Sequence, residues 1–288
     1  MTDLWNDLLA CLDLRRLPSG RGPGTGDAEG ERAEVDGRDT ARADFEGRNQ
    51  RLSYQRLFGG QLLAQFARAA SLACPDKVVK SLHVLFPRAG HSDEPVRYEV
   101  EGHHQGSTFA TLTIVARQKR GVLATASVSM HVFEEGLEHQ TVAQVPSVLG
   151  AEHQVKFDLL PWEIRAATDL NSPKPEPPEL DLWMRIPAVG RELTPALTAY
   201  ATDLTIIGTA LRPLEGLCQQ DAGTAFTSGV TSHTLWFHRP FSTDGWLLLR
   251  QHSPLLAHGR CFGRGDVLTE DGSLVASYAQ ESLLRFRR

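Results

Sequence analysis

Asp203 is the charge in this sequence that most needs an explanation. It stands in Tyr200-Ala-Thr-Asp-Leu-Thr-Ile-Ile207, an otherwise apolar run with helical character. A carboxylate in such surroundings costs several kcal/mol unless it is paired or hydrogen-bonded. It is either a helix-terminal cap or satisfied buried acid, or a base held ready for proton transfer, because perturbed carboxylates gather at reactive sites. Gln280 lies in the last apolar-rich run, between Ala279 and Glu281. Its amide can accept from and donate to a bound water, or simply face solvent as a strand polar residue. Thr231 and Ser232 open the run that carries Trp236 and Phe237. Their hydroxyls could orient a water, or do no more than begin a strand. Gly59-Gly60-Gln61 starts another helical run. Two glycines allow close backbone approach, and a helix start offers free N–H groups to a carbonyl oxygen. The same residues also suit a plain strand-to-helix turn.

Other chemistries find no support. His103-His104, His233 and His238 have no metal-ligand spacing, HExxH is absent, and we expect no metal. Neither a G-x-S-x-G elbow nor a nucleotide-binding glycine loop occurs, so we expect no serine triad and no cofactor. Arg117, Lys119 and Arg120 meet at a hairpin tip and read as a solvated turn.

These residues need elements to hold them. Residues 4–14 carry Leu4, Leu8, Leu9, Leu12 and Leu14 at helical spacing, and 17–43 lose all periodicity in a Gly-rich, charged loop expected to be mobile. Residues 62–73 are apolar on nearly every side, so that helix must be buried. Strand-like runs follow at 80–87, 96–103, 107–118 and 121–133, giving one helix and an antiparallel meander, an α+β pattern. After a Pro-rich connector the pattern returns: strand 181–186, helix 195–211, then strands at 232–238, 245–252, 259–270 and 273–286. The text itself repeats. Ser81-Leu-His-Val-Leu-Phe86-Pro-Arg88 aligns with Ser232-His-Thr-Leu-Trp-Phe237-His-Arg239, and the same shift of 151 residues lays Gly121–Ser129 on Gly272–Gln280. A constant offset points to two copies of one fold, placed at 1–135 and 181–288 with a connector at 136–180.

The 288 residues, net charge −5 and 41% hydrophobic content describe an ordinary globular chain with no field to attract nucleic acid or an anionic membrane. No run is long enough to span a bilayer, and the start carries no secretory pattern. Cys11, Cys74, Cys218 and Cys261 are scattered, as expected of reduced thiols in a cytoplasmic protein.

The chain resembles the type II acyl-CoA thioesterases of bacteria, the TesB group of double-hotdog enzymes. The matching text is Arg56-Leu-Phe-Gly-Gly-Gln61, Ser81-Leu-His83 with Phe86 and Arg88-Ala-Gly90, Gly106-Ser-Thr-Phe109, Glu138-His-Gln140, Tyr200-Ala-Thr-Asp203-Leu, Trp236-Phe-His-Arg-Pro-Phe241 and Leu274-Val-Ala-Ser-Tyr-Ala-Gln280-Glu281. The resemblance implies a double hotdog, two tandem antiparallel sheets each wrapped around a long central helix. It implies hydrolysis of acyl-CoA by a water held between Asp203, Gln280 and a hydroxyl, and assembly into a homo-oligomer. Our own reading of the residues adds expected substrate contacts at Gly59, Gly60, Gln61 and His83. The family places its hydroxyl six residues before the Trp, where this chain has Val230. Thr231 follows at the next position, on the other side of an ideal strand unless a bulge intervenes, and Ser228 is the other nearby hydroxyl. Ser232 replaces the usual Asp before the first His of the motif. These departures predict weak turnover, and the alternative they leave is an acyl-CoA-binding protein with a degraded site. A hotdog dehydratase, which needs a His beside a helix Asp, finds no such pair here.

Overall fold

The computed structural model describes residues 4–18, 42–52, 55–169 and 171–286. Most of the Gly-rich stretch expected to be a mobile loop lies outside them. The elements in chain order are α1 (Leu4–Leu12), β1 (Arg15–Arg16), β2 (Arg42–Gly47), α2 (Gly59–Ala73), β3 (Val78–Leu85), β4 (Val96–Gln105), β5 (Phe109–Gln118), β6 (Gly121–His131), β7 (Gln154–Val155), β8 (Glu163–Arg165), β9 (Glu179–Arg185), α3 (Thr194–Thr202), α4 (Ile206–Leu211), β10 (Phe226–Phe237), β11 (Leu247–Ala257), β12 (Arg260–Thr269) and β13 (Leu274–Phe286).

The two copies show in the strand order. In the first, β2-β4-β5-β6-β3 lie side by side, and in the second β9-β11-β12-β13-β10 do so in the mirrored direction. In each, a strand, a helix and a second strand come first and the three-strand meander afterwards fills the space between them. The α+β helix-in-sheet architecture is as expected, with one difference. The sheets are not separate: β3 pairs antiparallel with β10, and all the strands form one 13-stranded sheet. At this seam His83 lies opposite Thr234, residues that correspond under the 151-residue shift. A pseudo-twofold axis therefore passes through that pair, because only on an axis do equivalent positions face each other.

α2 is packed as its composition demands, with Gly60 to Ala67, Ala69 and Ala70 all buried. Its partners are the inward rows of the first half: Tyr98, Val100, Leu112, Ile114, Ala126 and Val128. The second helix departs from expectation. Residues 195–211 do not form one rod, because the chain leaves helical form at 203–205 and resumes as α4. A side chain from elsewhere takes up the backbone there, as Gln219 Nε2 donates to the Leu204 carbonyl at 2.9 Å, and the Thr205 and Thr209 hydroxyls both donate to Gln251 Oε1. Thr and Asp favour such bonds over continued helix. The connector adds the short strands β7 and β8 beyond β9. Val142, Val145, Val148 and Leu149 then cover a smaller cluster of Trp183, Trp246, Leu248 and Leu268.

Candidate active site

The break after α3 presents Asp203. It is the C-cap residue of that helix, 7% exposed, and its carboxylate accepts a hydrogen bond from the Gly60 backbone N–H at the start of α2. One carboxylate oxygen, Oδ1, is buried with no hydrogen-bond partner among the described residues. Burial pushes its pKa from 3.8 up to about 7, and the Gly60 bond offsets only part of that. A carboxyl poised near neutrality with a free oxygen suits proton transfer.

The two glycines make this approach possible. A Cβ on Gly60 would lie 2.5 Å from the Tyr200 carbonyl oxygen and 2.5 Å from the Phe58 ring, so the start of α2 touches α3 backbone to backbone. A Cβ on Gly59 would lie 2.7 Å from Asp203 Oδ2 and 2.8 Å from Val230 Cγ1. Gly59 thus keeps open a gap that Asp203 and Val230 share. The sequence suggested close approach to a ligand; in the structure it is the second helix that approaches.

Val230, and not Thr231, faces this gap, and the cause is a bulge in β10. Pairing with β13 slips between Val230 and Ser232, so Val230 lies opposite Ser282 and His233 opposite Gln280. Ser282 and Gln280 are both buried on the inner face. The extra residue at the slip is Thr231, whose hydroxyl donates to the Glu281 carbonyl oxygen at 2.9 Å. The structure does not bring Thr231 to Asp203, since the bulge leaves Val230 on the inner face.

Gln280 is 1% exposed. Its Oε1 lies 2.8 Å from His233 Nδ1 and its Nε2 donates to Ser282 Oγ at 3.0 Å. His233 Nε2 lies 3.1 Å from the hydroxyl of Thr202, the residue before Asp203. Gln280 is therefore joined to the end of α3 through a buried imidazole. Sequence reading weighed His233 only as a metal ligand and did not single out Thr202. The only signal was that His233 alternates with the apolar Leu235 on one strand face.

Two more candidates lie elsewhere. Gln61 has both ends of its amide engaged: Oε1 accepts from Gln50 N–H, and Nε2 donates to Asn49 Oδ1 and Gln65 Oε1. It ties α2 to the chain that leads into it and is not turned toward Asp203. His83 is exposed between the inward residues Leu82 and Val84, on the outer face of the sheet, edge-on to Trp236 at 5.6 Å. Strand alternation puts it on the side away from the helices, which corrects its expected place in the site.

The pseudo-twofold is broken where chemistry would need it. The start of α3 carries Pro195 at its first turn, which has no N–H to offer, and α2 has no Asp or Glu at all. Of the two helix starts, only that of α2 meets an acid from the other half among the described residues, and that acid is Asp203.

Two family models match the chain in succession. Residues 50–131 match a family model described as an acyl-CoA thioesterase N-terminal domain, and 138–284 match one described as an acyl-CoA thioesterase C-terminal domain. The chain is 30% identical over 270 residues to acyl-CoA thioesterase 2 of Haemophilus influenzae, covering 84% of this chain and 92% of that protein. It is 28% identical to human acyl-coenzyme A thioesterase 8, covering 84% and 85%. Among solved structures, acyl-CoA thioesterase II TesB2 from Mycobacterium marinum superposes with a TM-score of 0.71 at 26% identity, covering 97% of each chain. Both halves are matched in order and nearly the full length is shared, so the chain belongs to the acyl-CoA thioesterase family, a family of thioester hydrolases.

Proposed function

We propose that this protein hydrolyses acyl-CoA thioesters to a free acid and coenzyme A, with Asp203 as general base. The observation that carries the reading is a buried carboxyl with one unpartnered oxygen and a pKa raised to about 7, held at the junction of the two halves. In this reading a water beside Asp203 and Gln280 gives its proton to Asp203 as its oxygen attacks the thioester carbonyl carbon. First-turn N–H groups of α2 other than that of Gly60, which Asp203 holds, stabilise the oxyanion that forms. Collapse of that intermediate breaks the C–S bond, and the thiolate takes the proton back. The acyl chain lies in the apolar space between helix and sheet. Val230 supplies no hydroxyl to the water, so turnover is slow for this family.

The coenzyme end is anionic, and three arginines stand beside the start of α2. Arg88 donates to the Arg120 carbonyl, and Arg120 Nη1 lies 3.3 Å from His91 Nε2. Arg56 bridges to His91 through the backbone, and Leu57 N–H donates to Gly90 O at 3.2 Å, which sets this cluster against the entry to the helix. None of the three arginines forms an ion pair among the described residues. The three suit the phosphates of coenzyme A, and Arg120 brings to them one residue of the hairpin tip read as solvated.

The remaining expectations are part of the same proposal. Free cysteines fit a reducing compartment such as the cytoplasm, and no helix among the described residues is long and apolar enough to cross a membrane. Exposed Val78, Leu85 and Trp236 near the seam support association with further copies.

Thiol release across an acyl-CoA panel tests the reading. Asp203→Asn, checked for native circular dichroism, should lower kcat by about a hundredfold or more. Near-normal hydrolysis by that variant would remove Asp203 as the base, and thioesters left intact by the wild type would overturn the reading altogether.

A further inference from the structure

Thr202, His233, Gln280 and Ser282 form a buried polar chain that the proposed chemistry uses only at Gln280. His233 is 1% exposed, and its ring stacks on Tyr278 at 5.9 Å with an interplanar angle of 12°. Both of its nitrogens are engaged, Nδ1 with Gln280 and Nε2 with Thr202. Burial lowers its pKa to about 4, so the ring is neutral near pH 7. A neutral imidazole donates from one nitrogen and accepts at the other.

The neighbours decide which. Gln280 donates from Nε2 to Ser282 and turns its oxygen to Nδ1. An amide oxygen has no proton to give, so Nδ1 carries the hydrogen. Nε2 is then an acceptor, and the Thr202 hydroxyl must donate to it and forgo its other acceptor, the Ala199 carbonyl at 3.0 Å. The opposite tautomer would require the Gln280 amide to turn end over end, with Ser282 donating to its oxygen.

We infer that His233 is a positioning residue, protonated at Nδ1, that fixes which end of the Gln280 amide meets the reacting water. With the oxygen on His233 and one N–H on Ser282, the amide keeps one N–H free. A water that accepts this N–H and donates to Asp203 has its remaining lone pair available for the thioester carbon. The inference rests on the role given to Gln280 above. Through Thr202 it also ties the amide to the residue next to Asp203, so that base and amide move together.

Nitrogen-15 histidine NMR on the full-length protein, with His233 assigned by loss of its signals in His233→Gln, tests the tautomer without any turnover. Between about pH 6 and pH 8 the expected pattern is a protonated Nδ1 and an unprotonated Nε2. A protonated Nε2, or a ring that titrates in that range, would overturn it. Kinetics test the positioning. His233→Leu, which cannot donate, should lower kcat about tenfold or more with KM within twofold, and His233→Gln, whose amide can donate to Gln280, should recover part of the loss. Equal rates in the two folded variants would mean that His233 only fills space. Gln280→Ala separates the two ideas: if it leaves kcat unchanged, the role of Gln280 fails whatever tautomer is found.

Discussion

Asp203 carries an acid whose folded pKa, about 7, lies above its ordinary 3.8. The native state therefore holds this proton more tightly than the unfolded chain does. Below 3.8 both states are protonated and nothing is lost; as pH rises from 3.8 to about 7, stability falls; above that, the cost is constant. At about 1.4 kcal/mol per pKa unit, the cost above neutrality is on the order of 4 kcal/mol. Asp203→Asn should accordingly raise Tm at pH 8, with the gain fading toward pH 4, measured by thermal melts at both. An unchanged pH 8 melt would mean the carboxyl is better solvated than its surroundings imply. In the wild type kcat/KM should rise with pH through a limb near 7, since the base works only when deprotonated. Val230→Thr would return a hydroxyl to the inner face, and we expect kcat to rise severalfold by thiol release. No gain would show that the site needs none there. The burial of Asp203 was legible because its helical neighbours are apolar; that it caps the end of α3 was one of the two readings the sequence left open. The bulge in β10, invisible in composition, does not carry Thr231 inward; it leaves Val230 on the inner face and spends the Thr231 hydroxyl on the Glu281 carbonyl.

The close crossing of α2 and α3 depends on two residues without side chains. Gly59→Ala would drive a methyl group between Asp203 Oδ2 and Val230 Cγ1. The obstacles are side chains, so the fold should survive at a cost of roughly 1–3 kcal/mol while kcat falls about tenfold or more. Val230→Ala in that background should restore part of the rate, a coupling that a double-mutant cycle would measure. Purely additive effects would mean that the two residues do not share the gap. At this scale the sequence announced helices and strands well, because apolar period and Ala/Leu content made α2 plain. It hid the break at 203–205. Leu204, Ile206 and Ile207 keep the apolar character unbroken, and the partners at the break, Gln219 on the Leu204 carbonyl and Gln251 on the Thr205 hydroxyl, come from distant segments.

For the molecule as a whole, the net charge of −5 works against an anionic substrate, so the arginine cluster at 56, 88 and 120 has to act locally. Arg88→Glu should raise KM for acyl-CoA severalfold at low salt, with the difference from wild type shrinking as ionic strength increases. A KM that does not respond would place the phosphates elsewhere. The internal repeat showed the duplication, and the order of elements showed a helix wrapped by a meander. That the two sheets fuse through β3 and β10 was not legible, since edge pairing depends on which backbone edges are left free and not on side-chain pattern. The fused sheet has two like halves, yet Pro195 and the lack of any acid on α2 leave one of its two potential junctions inert. Stoichiometry follows from this: in the proposed mechanism a polypeptide built from two hotdogs processes one thioester at a time, and the duplicate survives as scaffolding, lending its helix start to its neighbour's acid.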